Sequence, residues 1–100
     1  MPSYGFLVEF EVRPGKEEDA AAFFTDAREM VEAEPGTVAW FAVRVGPRSF
    51  RIFDAFPSED DREAHLNGEV RKAIEARADE LFVAFPTITP VDVVAAKLPG

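Results

Sequence analysis

The segment Thr37 to Val45 constrains this chain more than any other. Read as a strand, it carries Val38, Trp40 and Ala42 on one face and Ala39, Phe41, Val43 and Val45 on the other. A strand that is apolar on both faces has to be covered on both. A chain of 100 residues has little material for that, because small domains bury a modest fraction of their surface. What stands on either side of the segment therefore decides the fold.

Tyr4 to Val12 alternates, with Tyr4, Phe6, Val8, Phe10 and Val12 on one face and Glu9 and Glu11 on the other, the pattern of a half-buried strand. Arg13-Pro14-Gly15 ends it. Lys16 to Ala33 reads as a helix, since Ala20, Phe23, Phe24, Ala27, Met30 and Val31 follow the 3.6-residue period. Glu17, Glu18 and Asp19 fill its first turn, where the helix dipole favours negative charge, and Pro35-Gly36 stops it. After Thr37–Val45, Gly46-Pro47-Arg48 marks a hairpin turn and Phe50 to Phe56 the return strand. Ser58 with Asp61 three residues on forms a capping box for a short helix reaching Leu66, broken by Asn67-Gly68. A longer helix runs from Glu69 to about Phe85, with Val70, Ala73, Ile74, Ala78, Leu81 and Phe82 as its stripe. Ile88 to Ala96 is the last strand, and Pro90 puts that part at a sheet edge or a strand start, because proline cannot donate to a ladder.

The order is β-α-β-β-α-β with the second helix split. It predicts an α+β protein of the ferredoxin-like kind, one domain over residues 1–100, with helices on one face of an antiparallel sheet. With Thr37–Val45 as a central strand, the other face stays bare. A second copy of the chain is the economical cover, which predicts a homodimer joined through its sheet faces.

Eleven basic against nineteen acidic side chains leave a net charge of −8, which opposes nucleic acid and anionic lipid as partners. Cysteine is absent, so thiolate nucleophiles, disulfides and cysteine metal sites are excluded. A single histidine cannot build a multi-histidine metal centre within one subunit. No apolar run approaches the ~18 residues of a membrane span, and the opening Met-Pro-Ser-Tyr-Gly lacks the regions of a signal peptide, so a cytoplasmic protein is expected. There is no G-x-S-x-G and no glycine-rich phosphate loop.

Few residues are left to carry chemistry. His65 alone has an ordinary pKa near neutrality. Its plainer reading is a helix-end cap or a tie between helix and strand. Asp54 shares a strand face with Phe50, Ile52 and Phe56, where an unpaired carboxylate is costly. It pairs with Arg44, Arg48 or Arg71, lies exposed at the sheet's end, or orients His65. A three-residue hairpin loop places Trp40 opposite Asp54, and a two-residue loop places Phe41 there. Trp40, Phe6 and Val8 are core residues or the walls of a pocket.

In this order of elements the chain resembles the antibiotic-biosynthesis-monooxygenase-like family, whose members are dimeric α+β barrels. The marks are Val12-Arg13-Pro14-Gly15-Lys16, Glu34-Pro35-Gly36, the strand Phe50–Phe56 running into Ser58-Glu59, Ala64-His65-Leu66, and Val91-Asp92-Val93-Val94-Ala95. Characterised relatives oxidise phenols or quinols with molecular oxygen and no cofactor; another branch degrades haem. The haem branch uses an asparagine in strand one, where this chain has Val8, and a histidine in the later helix, absent from Val70 to Arg77. Relatives usually carry tryptophan or tyrosine where this chain has Phe56, which can wall a pocket but cannot donate a hydrogen bond. The resemblance implies a homodimeric, cofactor-independent monooxygenase acting on a small aromatic or quinol-like substrate. His65 would be base or hydrogen-bond partner and Asp54 its orienter, with Trp40, Phe56, Phe6 and Val8 as walls and no metal or other cofactor. The alternative is a dimeric module of the same fold that binds a small molecule or serves a stress response without catalysis. An RNA-binding module on this topology is opposed by the acidic charge.

Overall fold

Alternation and helical period resolve into seven elements in a computed structural model that describes residues 2–99. They are β1 (Tyr4–Glu11), α1 (Glu17–Glu32), β2 (Ala39–Gly46), β3 (Ser49–Phe56), α2 (Glu59–Leu66), α3 (Glu69–Leu81) and β4 (Thr87–Asp92). The strands form one antiparallel sheet in the order β2-β3-β1-β4, the ferredoxin-like α+β arrangement. Gly15, at φ +84°, makes the turn between β1 and α1 that a residue with a Cβ would resist.

The helix-facing side of the sheet is the core. Phe6, Val8, Phe10, Phe50, Ile52 and Phe56 point into it from β1 and β3, and α1 answers with Ala20, Phe23, Phe24, Ala27 and Val31. Helix α3 adds Val70, Ile74, Ala78 and Leu81. Met30, expected on the buried stripe of α1, is instead exposed beside the helix's last turn.

Strand β2 departs from expectation. It is an edge strand; β3 and β1 hold the centre. Every residue of β2 is exposed or half-buried, on the helix side as well as the outer side. On the outer side Phe41, Phe53 and Leu7 stand in register across three strands, with Val43 and Val45 continuing the row along β2. The apolar surface that the sequence anticipates is therefore present and bare, but it spreads from an edge.

Two boundaries also differ. Helix α3 stops at Leu81, four residues before Phe85, because Phe82 turns extended and bridges Val12 while the N–H of Val83 bonds the carbonyl of Glu11. Phe85 precedes Pro86, which disfavours helix there in any case. Strand β4 ends at Asp92, where its pairing with β1 ends at Tyr4. Pro90 lies on this edge strand, as its missing donor requires. Among the described residues no helix is long and apolar enough to cross a membrane.

Candidate active site

The alternation of β3 carries Asp54 to the helix-facing side of the sheet, where it is 1% exposed. Its ladder partners are Trp40 on β2 and Phe6 on β1. The first pairing depends on a local irregularity. The hairpin closes on a two-residue turn, Pro47-Arg48, with Gly46 paired to Ser49, and a register shift between Arg44 and Gly46 makes Val45 the extra residue. That bulge restores the register of a three-residue loop, so Trp40 rather than Phe41 faces Asp54.

Helix α2 supplies the histidine. Ser58 caps it, accepting the N–H of Asp61 at 3.1 Å and donating its hydroxyl to the Asp61 carboxylate at 2.9 Å. From the last turn His65 packs its ring on Phe56, with centroids 5.2 Å apart, and brings Nε2 to 3.0 Å from Oδ2 of Asp54. The approach is at ion-pair distance but off the axis of the ring N–H, so Oδ2 has no well-aligned hydrogen bond. Oδ1 of Asp54 accepts the backbone N–H of Phe6 at 3.2 Å.

The other ring nitrogen meets a residue that the sequence reading did not single out. Nδ1 lies 2.5 Å from Oε1 of Glu34, and Thr37 donates its hydroxyl to the same oxygen at 2.7 Å. A carboxylate only accepts, so Nδ1 carries the proton. Glu34 comes from the loop between α1 and β2, which is pressed against α2: a Cβ on Gly36 would run into the Asp61 carboxylate. Burial alone would lower the His65 pKa; hydrogen bonding and charge from Asp54 and Glu34 outweigh it, and the pKa is raised above 6.5. His65 is thus a histidine held toward its cationic form between two carboxylates.

Asp54, His65, Trp40, Phe6 and Val8 line one cavity, closed by Arg71 and apolar residues of α3 and β4. Phe56 is not in its wall; it is fully buried behind the His65 ring and edge-on to Phe6. The arginines that were alternatives for Asp54 do not reach it: Arg71 lies over the Phe85 ring and Arg44 over the Phe50 ring. The cavity holds about 30 Å³, room for about one water. Two buried polar atoms at this site have hydrogen-bonding capacity to spare: Nε1 of Trp40 has no partner, and Oδ2 of Asp54 has only its off-axis ion-pair contact with His65. One is a donor and the other an acceptor, and buried groups of this kind are seldom left unpaired without a role.

With this geometry in view, the relatives are informative. The sequence pattern of the family described as antibiotic biosynthesis monooxygenase matches residues 3–77. A crystal structure of a protein of unknown function from Nitrosomonas europaea is 43% identical, covers 100% of this chain and 97% of its own, and superposes with a TM-score of 0.97. A proposed antibiotic biosynthesis monooxygenase from Caulobacter crescentus shares 23% identity over 94% of this chain and 92% of its own, with a TM-score of 0.80. A Mycobacterium tuberculosis protein shares 16% identity, 97% and 96% coverage and a TM-score of 0.77. The last two show likeness of fold. Among curated proteins none matches.

Proposed function

This chain belongs to the antibiotic biosynthesis monooxygenase family, and on that premise we propose that it is a cofactor-independent monooxygenase for a small hydroxylated aromatic or quinol-like substrate. The observation that carries the reading is a donor and an acceptor at one largely apolar cavity, Nε1 of Trp40 with no hydrogen bond and Oδ2 of Asp54 with only an off-axis contact to His65, beside a histidine held between two carboxylates. A phenolic hydroxyl satisfies both: its oxygen accepts from the indole N–H and its proton goes to the carboxylate. The role of proton acceptor falls to Asp54, and His65 serves as its cationic partner. Loss of that proton leaves a phenolate, electron-rich enough to reduce oxygen without help. The overall change is balanced with no further reductant: a phenol and O₂ give a quinone and water. Phe6 and Val8 wall the ring, and Phe56 holds the imidazole from behind.

Oxygen uptake by chelator-treated, flavin-free protein over a panel of phenols and quinols tests the reading. Uptake matched by quinone absorbance is expected. A second reading, a binding module of the same fold without catalysis, is favoured by the size of the cavity, which in this conformation admits no ring. Ligand binding seen by tryptophan fluorescence with no oxygen uptake would select it.

Either reading is completed by a homodimer through the outer sheet face, supported by the exposed row Phe41, Phe53 and Leu7 with Val43 and Val45. An interface of this kind buries more than about 1,000 Å² in total. Sedimentation at micromolar concentration is expected to give twice the chain mass, and a monomer would remove the claim.

A further inference from the structure

Trp40 borders two spaces at once. On one side is the small cavity of Asp54 and His65; on the other is a wider groove of about 370 Å³ between α1 and β2, with Phe24, Ala42, Arg44 and Phe50 among its lining. The indole is the shared wall, and its unpartnered Nε1 ties it to neither side. It stands half-buried at the margin of the core on an edge strand whose following residues, Phe41 to Val45, are exposed, so it is held from fewer sides than the residues of β1 and β3. Moving it would join the two spaces into one of the size that small ligands use.

The groove differs from the cavity in charge. Arg28 at its rim is already bridged to Glu32 at 2.8 Å. Arg44 has no carboxylate partner among the described residues; its guanidinium lies over the Phe50 ring, 4.9 Å from the centroid. A free guanidinium stacked on an aromatic floor, in a chain of net charge −8, is a ready partner for an aromatic anion. Register sets the span. Arg44 pairs with Phe50 and Trp40 with Asp54, four residues apart along the same strands. Four residues are roughly 14 Å, and about 3 Å for a polar contact at each end leaves roughly 8 Å between the two polar groups of the ligand.

We propose that Trp40 is a movable partition and that the ligand is a hydroxylated aromatic acid, its hydroxyl on Asp54 and its carboxylate on Arg44. The proposal rests on the placement of the hydroxyl given above and adds the anionic end. A para-hydroxyphenyl ring with a one- or two-carbon acid side chain has the required reach.

The test is titration of the protein with 4-hydroxyphenylacetate, its primary amide and phenylacetate, read by calorimetry and by the emission of the sole tryptophan. The acid is expected to bind at least about tenfold tighter than the amide, the scale of one charge-assisted contact at a partly open site. Arg44→Gln should bring the two within about twofold, chiefly by weakening the acid. Trp40→Phe, followed by calorimetry, should keep the preference for acid over amide while reducing that for 4-hydroxyphenylacetate over phenylacetate. Equal binding of acid and amide by the native protein, a preference that survives Arg44→Gln, or no binding of any of the three would overturn the proposal. Oxygen uptake confined to neutral quinols would overturn it and leave the monooxygenase reading standing; acid preference without oxygen uptake would do the reverse.

Discussion

The helix-facing side of the sheet has two ends built on the same alternation and used in opposite ways. At one end Phe10, Phe23, Phe24, Phe50 and Phe82 pack ring against ring, with centroids between 4.9 and 6.3 Å apart. At the other, the same strands present Asp54, Trp40 and Phe6 to His65, with two polar atoms that lack a well-aligned hydrogen bond. The first end is stable because nothing in it needs water. The second is held by a carboxylate–imidazole–carboxylate chain whose burial is offset by mutual charge. Two residues of β3, Phe50 and Asp54, separate core from site. A single polar position in an apolar alternation is enough to turn packing into a polar site, provided that a helix end delivers its partner.

The sharpest way to break this comparison is at the aromatic end. Phe10 is fully buried and touches Phe24 and Phe82. Phe10→Ala is expected to cost about 3–5 kcal/mol, a large share of the ~5–15 kcal/mol that holds a domain of this size. Urea denaturation measures it. A midpoint near that of the native protein would mean that this end is not the stabilising one.

At the polar end the expected loss is in rate rather than folding. His65→Ala should lower turnover of an oxidisable phenol by roughly 10²-fold or more, the scale of a disabled general base, because Asp54 loses the cation that positions its proton-accepting oxygen. Binding of a product-like quinone should change little, since the apolar walls remain. Glu34→Gln keeps the shape and a hydrogen-bond acceptor for Nδ1 but removes one charge, so a smaller loss is expected. A rate unchanged in His65→Ala would remove the histidine from the reaction.

Much of this comparison is legible in the sequence, and the exceptions have physical causes. The alternation of Tyr4 to Val12 and the position of Asp54 among Phe50, Ile52 and Phe56 identify the buried face directly. The pairing of Trp40 with Asp54 was open between two loop lengths, because a bulge at Val45 is not written in any hydrophobic period. The edge position of β2 is not legible because a strand apolar on both faces reads as central whether or not this chain covers it. Glu34 enters the sequence reading only in Glu34-Pro35-Gly36, one of the marks of the family resemblance. It is 31 residues from His65, and only the packing of the α1–β2 loop on α2, which the size of Gly36 permits, brings the two together. A loop glutamate followed by Pro-Gly and a threonine was the available signal, and it is a weak one.

The smallest effect separates the two ends by pH. Burial would lower the His65 pKa, but the hydrogen bonds and charges of Asp54 and Glu34 raise it above the unfolded value of 6.5. Between 6.5 and the folded value the native state therefore holds more protons than the unfolded one, and stability falls as pH rises. The stabilisation is complete below 6.5 and is lost as pH passes through the raised folded value. Urea midpoints taken from about pH 6 to about pH 9 should decline in the native protein. They should decline in the same way for Phe10→Leu, which perturbs only the aromatic end. In His65→Gln that component should be absent, because glutamine keeps the hydrogen bonding and does not titrate. A decline that persists unchanged in His65→Gln would place the titrating group elsewhere, and the carboxylate pair would then hold a neutral ring.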